Sequence, residues 1–190
     1  VNHGPLNWAS AVFTTNQVIA APVMWSKEVI KGSAVRAVVL NSGGANACTG
    51  PQGFQDTHKT AEHVASLLNH SSSEIFVCST GMIGEFLPVD KIIKGLDVIV
   101  SGLSNDSLVD CAEAIMTTDT QPKACSRQVT IAGKTITFTG ISKGAGMIRP
   151  NMATMLGYLA TDAKVSSALL KKLTVEAADA SFNAITIDGD

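Results

Sequence analysis

No run of about 18 apolar residues interrupts this 190-residue sequence, so it offers no membrane-crossing helix. Basic runs of five or more are also missing. Fourteen basic against sixteen acidic residues leave a net charge of −2, which favours neither nucleic acid nor an anionic membrane as a partner. The cysteines Cys48, Cys78, Cys111 and Cys125 form no C-x-x-C pair and read as small buried or half-buried thiols rather than metal ligands. His58 and His63 are five apart and miss the i, i+4 alignment of a helical ligand pair. Residues 1 to 25 lack the basic, apolar, then small order of a secretion signal, although a chain that begins at Val1 is compatible with a lost leader. Two further motifs are absent. Without G-x-x-x-x-G-K-[ST] there is no phosphate cradle, and without G-x-S-x-G neither Ser42, Ser79 nor Ser142 is a hydrolase nucleophile.

What is present is a chain 45% apolar with a mean hydropathy of +0.23, long enough to bury a core as one large or two small domains. Residues 10 to 24 read as a strand, a Thr-Thr-Asn turn and a second apolar segment. "VRAVVLNSGGANACTG" and "EIFVCST" read as buried strands that end abruptly in small polar residues. Helices are expected over about 56–69, capped by Asp56 or Thr57, and over about 90–102, 107–116 and 166–181. "QVTIAGKTITFTG" predicts a hairpin, "TMLGYLATDA" a strand with Met155 to Leu159 buried, and "AITID" the start of another strand. Strands alternating with helices predict an α/β (mixed α+β) fold, with helices packed on one mixed sheet.

Three glycine-rich loops follow buried strands: "NSGGANACTG" (41–50), "CSTGMIGE" (78–85) and "SKGAGMIRPNMAT" (142–154). Such loops, held by a rigid sheet, are where α/β proteins place their sites. A cysteine nucleophile at Cys48 or Cys78 would need a histidine beside it in space, which spacing does not supply. Threonine chemistry is the remaining option. A threonine hydroxyl needs a base, and its own α-amino group can serve once the preceding peptide bond is cut. That amine has a reference pKa of about 7.7–8.0, so part of it is neutral at physiological pH. Ala153-Thr154 supplies the small residue such a cleavage needs, and tight turns without function remain the alternative for each loop.

Four segments, "NSGGANACTG", "CSTGMIGEFLPVDKI", "AIMTTDTQPK" and "KGAGMIRPNMATMLGYLATDA", together resemble the ornithine acetyltransferase family, the ArgJ-type glutamate N-acetyltransferases, from about residue 8 to residue 190. The resemblance implies a self-processing enzyme of arginine biosynthesis with an N-terminal threonine nucleophile. It would move acetyl from N-acetylornithine to glutamate, with acetyl-CoA a further possible donor and no bound cofactor or metal. It implies cleavage between Ala153 and Thr154, dividing an α-like region (1–153) from the start of a β-like region (154–190). Thr154 is then the nucleophile, Thr80 and Gly81 form the oxyanion hole, and Thr117, Lys143 and Thr154 contact substrate. An α/β heterotetramer in the cytoplasm, or in the mitochondrial matrix of a eukaryote, is implied too. The family continues past Asp190 and begins before Val1, so the sequence reads as truncated at both ends and inactive alone. Asn41 and Asn46, in the first glycine-rich loop, read as braces of the site. An N-terminal-nucleophile amidase or aminopeptidase and an unprocessed, non-catalytic fragment are the alternatives.

Overall fold

The computed structural model describes residues 1–5 and 7–189; Asp190, the last residue of the resemblance, lies outside them. Helix α1 (Ala21–Val29) carries a proline in its first turn, where a missing N–H costs nothing. Strands β1 (Ala37–Asn41) and β2 (Ile75–Ser79) pair in parallel from Ala37↔Ile75 to Asn41↔Ser79. Parallel neighbours need a long crossover, and helix α2 (Gly50–Leu68) provides it. The far edge of β2 is closed by α1: the Ser26 hydroxyl donates to the Val77 carbonyl at 3.0 Å and accepts from its N–H at 3.3 Å. Trp25 Nε1 donates to the Ile75 carbonyl at 2.9 Å. Side chains thus satisfy an edge that would otherwise invite another strand.

Helix α3 (Val89–Ser101) and α2 cover one face of this pair, where Ala37, Ala61, Val64, Ala65, Ile75, Val77 and Leu96 form the main core. Val29, Val35 and Phe76 form a second cluster. A short helix α4 (Leu108–Ala114) then leads to an antiparallel sheet of β3 (Lys123–Ile131), β4 (Lys134–Lys143) and β5 (Leu156–Thr161). The β3–β4 turn is Ala132-Gly133, both left-handed (φ +50 and +75), as a two-residue hairpin of the right twist requires. Helix α5 (Ser167–Ala180) starts at Ser166, whose hydroxyl accepts from the Leu169 N–H.

The expected mixture of helices and strands is present, with several differences of detail. The strands form two sheets rather than one mixed sheet. No strand occupies 10–13, whereas the turn after it is real: Thr14 Oγ1 accepts from the Asn16 N–H and Asn16 Oδ1 from the Val18 N–H. Helix α2 begins at Gly50, so Asp56 and Thr57 are buried inside it instead of capping it. "AITID" is not a strand but follows a short 3₁₀ turn, Phe182–Ala184. Strand β5 begins at Leu156 rather than Thr154, and its residues are half-buried at best, with Leu159 71% exposed. Cys48, Cys111 and Cys125 are exposed and Cys78 is half-buried. Among the described residues no helix is long and apolar enough to cross a membrane, and no cluster of potential metal ligands occurs.

Candidate active site

The ends of β1 and β2 carry two loops that interlock. Thr80 N–H donates to the Asn41 carbonyl at 3.0 Å, Met82 N–H to Gly43 at 3.2 Å and Ala45 N–H to Met82 at 2.8 Å. Asn41 braces both sides: its Nδ2 donates to the Gly44 carbonyl at 3.0 Å, and its Oδ1 accepts from the Ser79 hydroxyl at 2.6 Å. Asn46, fully buried, ties the first loop to α2 by donating to the Gly53 carbonyl and Thr57 Oγ1 and accepting from Thr49 Oγ1.

Gly81 sits where the loops meet. It adopts φ +129, and a Cβ there would lie 2.3 Å from the Gly43 carbonyl carbon, so only glycine fits. The N–H groups on either side of it, those of Thr80 and Met82, are taken by backbone carbonyls. Among the described residues the Gly81 N–H has no acceptor.

Lys143, the last residue of β4, reaches this loop. Its side chain is only 8% exposed. Its ammonium donates to Thr80 Oγ1 at 3.0 Å and to Thr117 Oγ1 at 2.8 Å. An ammonium has hydrogens and no lone pair. Each threonine oxygen therefore accepts from Lys143 and keeps its own hydrogen to give elsewhere. Thr117 follows α4, whose end is joined to the first loop by the Ser42 hydroxyl on the Ala114 carbonyl at 2.7 Å.

A carboxylate that motif reading passed over anchors the cluster. Asp119 Oδ1 accepts from Lys123 Nζ at 2.5 Å and the Gly144 N–H at 2.8 Å, while Oδ2 accepts from the Thr117 N–H at 3.4 Å. Oδ2 also lies 3.8 Å from Lys143 Nζ. Burial pushes the Asp119 carboxyl up, but Lys123 and the two N–H donors outweigh it, and the group is held below the usual carboxylate range. Burial lowers the Lys143 ammonium, and Lys123 adds to this while Asp119 opposes it. The available signal was Asp119 lying inside "MTTDTQPK", four residues before a lysine.

Thr154 stands apart from this cluster. It is exposed, and its hydroxyl donates to the Met147 carbonyl at 2.6 Å. The register nevertheless puts it near, since Lys143 pairs with Leu156, two residues on. The backbone around it is left-handed at four non-glycine residues: Met147 (φ 52), Asn151 (65), Met152 (58) and Thr154 (53). For L-residues each such conformation costs roughly 1–2 kcal/mol, and a β-branched threonine adopts it rarely. Ala153 pairs with Arg149 across this turn, and Asn183 Oδ1 and Asp188 accept backbone N–H bonds from Met152, Met147 and Ile148.

The cysteine alternative finds no support in this geometry. Burial pushes the Cys78 thiol up to about 11, only partly offset by Tyr158. Among the described residues the ring contacts and ion pairs of the histidines go to Trp25, Glu62, Asp97 and Glu74 instead of to a cysteine.

The family model of the ArgJ family matches residues 1–190. The arginine biosynthesis bifunctional protein ArgJ 1 of Streptomyces clavuligerus is 49% identical over 189 residues, covering 100% of this chain and 48% of that protein. ArgJ of Pseudomonas syringae is 52% identical over 181 residues, covering 95% and 44%. The chain thus spans about half the length of the curated relatives it matches. Among solved structures, ornithine acetyltransferase from Mycobacterium tuberculosis, complexed with ornithine, matches with a TM-score of 0.69 and 43% identity, covering 84% of this chain and 81% of that one. ArgJ from Bacillus halodurans matches with a TM-score of 0.69 and 38% identity, covering 78% and 76%.

Proposed function

The chain belongs to the ArgJ family, and on that footing we propose that it carries the oxyanion side and the nucleophile of a threonine acetyltransferase that moves acetyl from N-acetylornithine to glutamate. The observation that carries this reading is the pairing of an unclaimed Gly81 N–H with a Thr80 hydroxyl that Lys143 leaves free to donate. Two donors side by side suit the negative oxygen of a tetrahedral intermediate, a stabilisation commonly worth about 10²–10³ in rate per donor.

The chemistry begins with self-cleavage at Ala153–Thr154. The left-handed residues around that bond support this assignment, because cutting the chain releases backbone strain held by surrounding contacts. It also gives Thr154 an α-amine. That amine takes the hydroxyl proton as Oγ1 attacks the acetyl carbonyl of N-acetylornithine. The intermediate collapses by breaking the C–N bond, and the departing ornithine nitrogen takes the proton back from the amine. The amine of glutamate then attacks the acetyl-threonine ester, loses a proton to the Thr154 amine, and expels Oγ1, which recovers it. Lys143 and Thr117 hold the amino-acid substrate, and residues 1–153 and 154–190 belong to separate chains after cleavage. Acetyl-CoA as a second donor, no bound cofactor, an α/β heterotetramer and a cytoplasmic location (mitochondrial matrix in a eukaryote) complete the proposal.

Denaturing electrophoresis of the full-length protein tests the first step. Conversion to two bands is expected, with a single band for Thr154→Ala; a persistent single band in the unmutated protein would sink the reading. For the second step, mass spectrometry of the processed protein with N-acetylornithine is expected to show Thr154 heavier by one acetyl group. Glutamate should clear that group as N-acetylglutamate, whereas clearance equally fast by water alone would point to an amidase instead.

A further inference from the structure

We propose that Asp119 is a positioning residue that acts on the oxyanion threonine through Lys143, fixing the ammonium so that Thr80 can only donate. This rests on the acetyltransferase reading and adds a residue to it. The geometry is that of a hub. One enclosed carboxylate joins the turn after α4 through the Thr117 N–H, the start of β3 through Lys123 and the end of β4 through the Gly144 N–H, and it faces the Lys143 ammonium. A carboxylate without exposed surface is retained in a fold only where its oxygens are occupied, and here both are.

The consequence concerns a single hydrogen. While Lys143 is an ammonium, Thr80 Oγ1 accepts from it and the threonine hydrogen points away, available to an oxyanion. A neutral Lys143 amine has a lone pair and can itself take that hydrogen. The oxyanion donor is then turned inward. Proton loss from Lys143 therefore extinguishes one of the two donors as well as a substrate contact. The charged groups acting on Lys143 are Asp119, which opposes proton loss, and Lys123, which favours it. Cys78 and Tyr158, on the neighbouring strands β2 and β5, are held neutral by burial to well above neutrality.

Two substitutions of opposite sign form the test, made in the full-length protein. Asp119→Asn keeps the shape and removes the charge, so the alkaline limb of kcat/KM is expected to move to lower pH by about one to three units, the scale of an opposite charge at this distance. Lys123→Met, at a half-exposed position, should move the same limb upward. The acid limb, set by the Thr154 amine, should stay in place in both. An alkaline limb unmoved by both changes would overturn the proposal, and so would two shifts in the same direction. The Lys143 titration is read independently by NMR of ¹³Cε-lysine in uncut Thr154→Ala protein, with Lys143→Met to assign the signal. It should fall with Asp119→Asn and rise with Lys123→Met; an unchanged titration contradicts the inference whether or not acetyl transfer is found. Should Asp119→Asn fail to fold, the Lys123→Met titration alone decides. Conversely, correct Lys143 shifts in a protein that transfers no acetyl group would sink the acetyltransferase reading and leave the hub intact.

Discussion

At Gly81 a methyl group would lie 2.3 Å from one backbone atom and 2.6 Å from two more, all belonging to the Gly43–Gly44 peptide. Backbone cannot step aside as a side chain can, so the cost falls on the position of the loop. On the proposed acetyltransferase mechanism, Gly81→Ala is expected to lower acetyl transfer about 10²–10³-fold, the loss of one proposed oxyanion donor. The thermal midpoint should drop only modestly, because the core of α2, α3 and the parallel strands lies away from the loop. A variant with near-normal kcat would remove the Gly81 N–H from the mechanism. Lys143 shows what sequence alone withholds at this scale. Only the family resemblance marks it for a substrate contact, and its hydrogen bonds to Thr80 and Thr117 depend on three segments meeting in space. Asp119 was harder to see, since an aspartate after two threonines reads equally well as a turn residue.

Among the elements, the β3–β4 hairpin carries an avoidable conflict. Ala132 is left-handed (φ 50) at an exposed tip, a conformation that asparagine tolerates better than alanine. Ala132→Asn is expected to stabilise the protein by about 0.5–1 kcal/mol, seen as a raised denaturant midpoint with unchanged kcat; a lower midpoint would contradict the turn geometry. The hairpin itself was legible because two alternating strands flank a glycine. Helix α1 was not, because "APVMW" is an apolar run without polar punctuation, and only Pro22 in its first turn marks it as helical. The early start of α2 carried a similar mark in Pro51, next to Gly50. Separation into two sheets has no local signal at all, since it depends on which strand edges meet. Within the interlocked loops, Asn41 and Asn46 hold the turns and the start of α2, Asn46 with no exposed surface, a local role that their expected place as braces of the site did not specify.

At the scale of the molecule, α5 and β5 differ in character from the parallel pair. Leu159, Leu169 and Leu173 are 71%, 48% and 44% exposed, whereas Ile75 of β2 is fully enclosed. These apolar side chains are accordingly expected to bind a hydrophobic dye, and Leu159→Gln with Leu169→Gln should weaken that binding; unchanged dye fluorescence in the double variant would place the dye elsewhere. The segment 144–155 has a consequence of its own. It bridges β4 and β5, whose six residue pairs run from Phe138↔Thr161 to Lys143↔Leu156. It is therefore a tether between partners that already hold each other by main-chain bonds. The proposed cut before Thr154 removes no ladder bond, but it turns an intramolecular encounter into one governed by concentration. After denaturation, the processed protein should recover its β4–β5 pairing at a rate that rises with dilution reversed, that is, with protein concentration. The uncut Thr154→Ala chain should form that same pairing at a rate set only by loop closure. On the proposed cleavage, the peptide bond before Thr154 acts as an assembly aid, joining β4 to β5 while the sheet is built and dispensable once their ladder has formed.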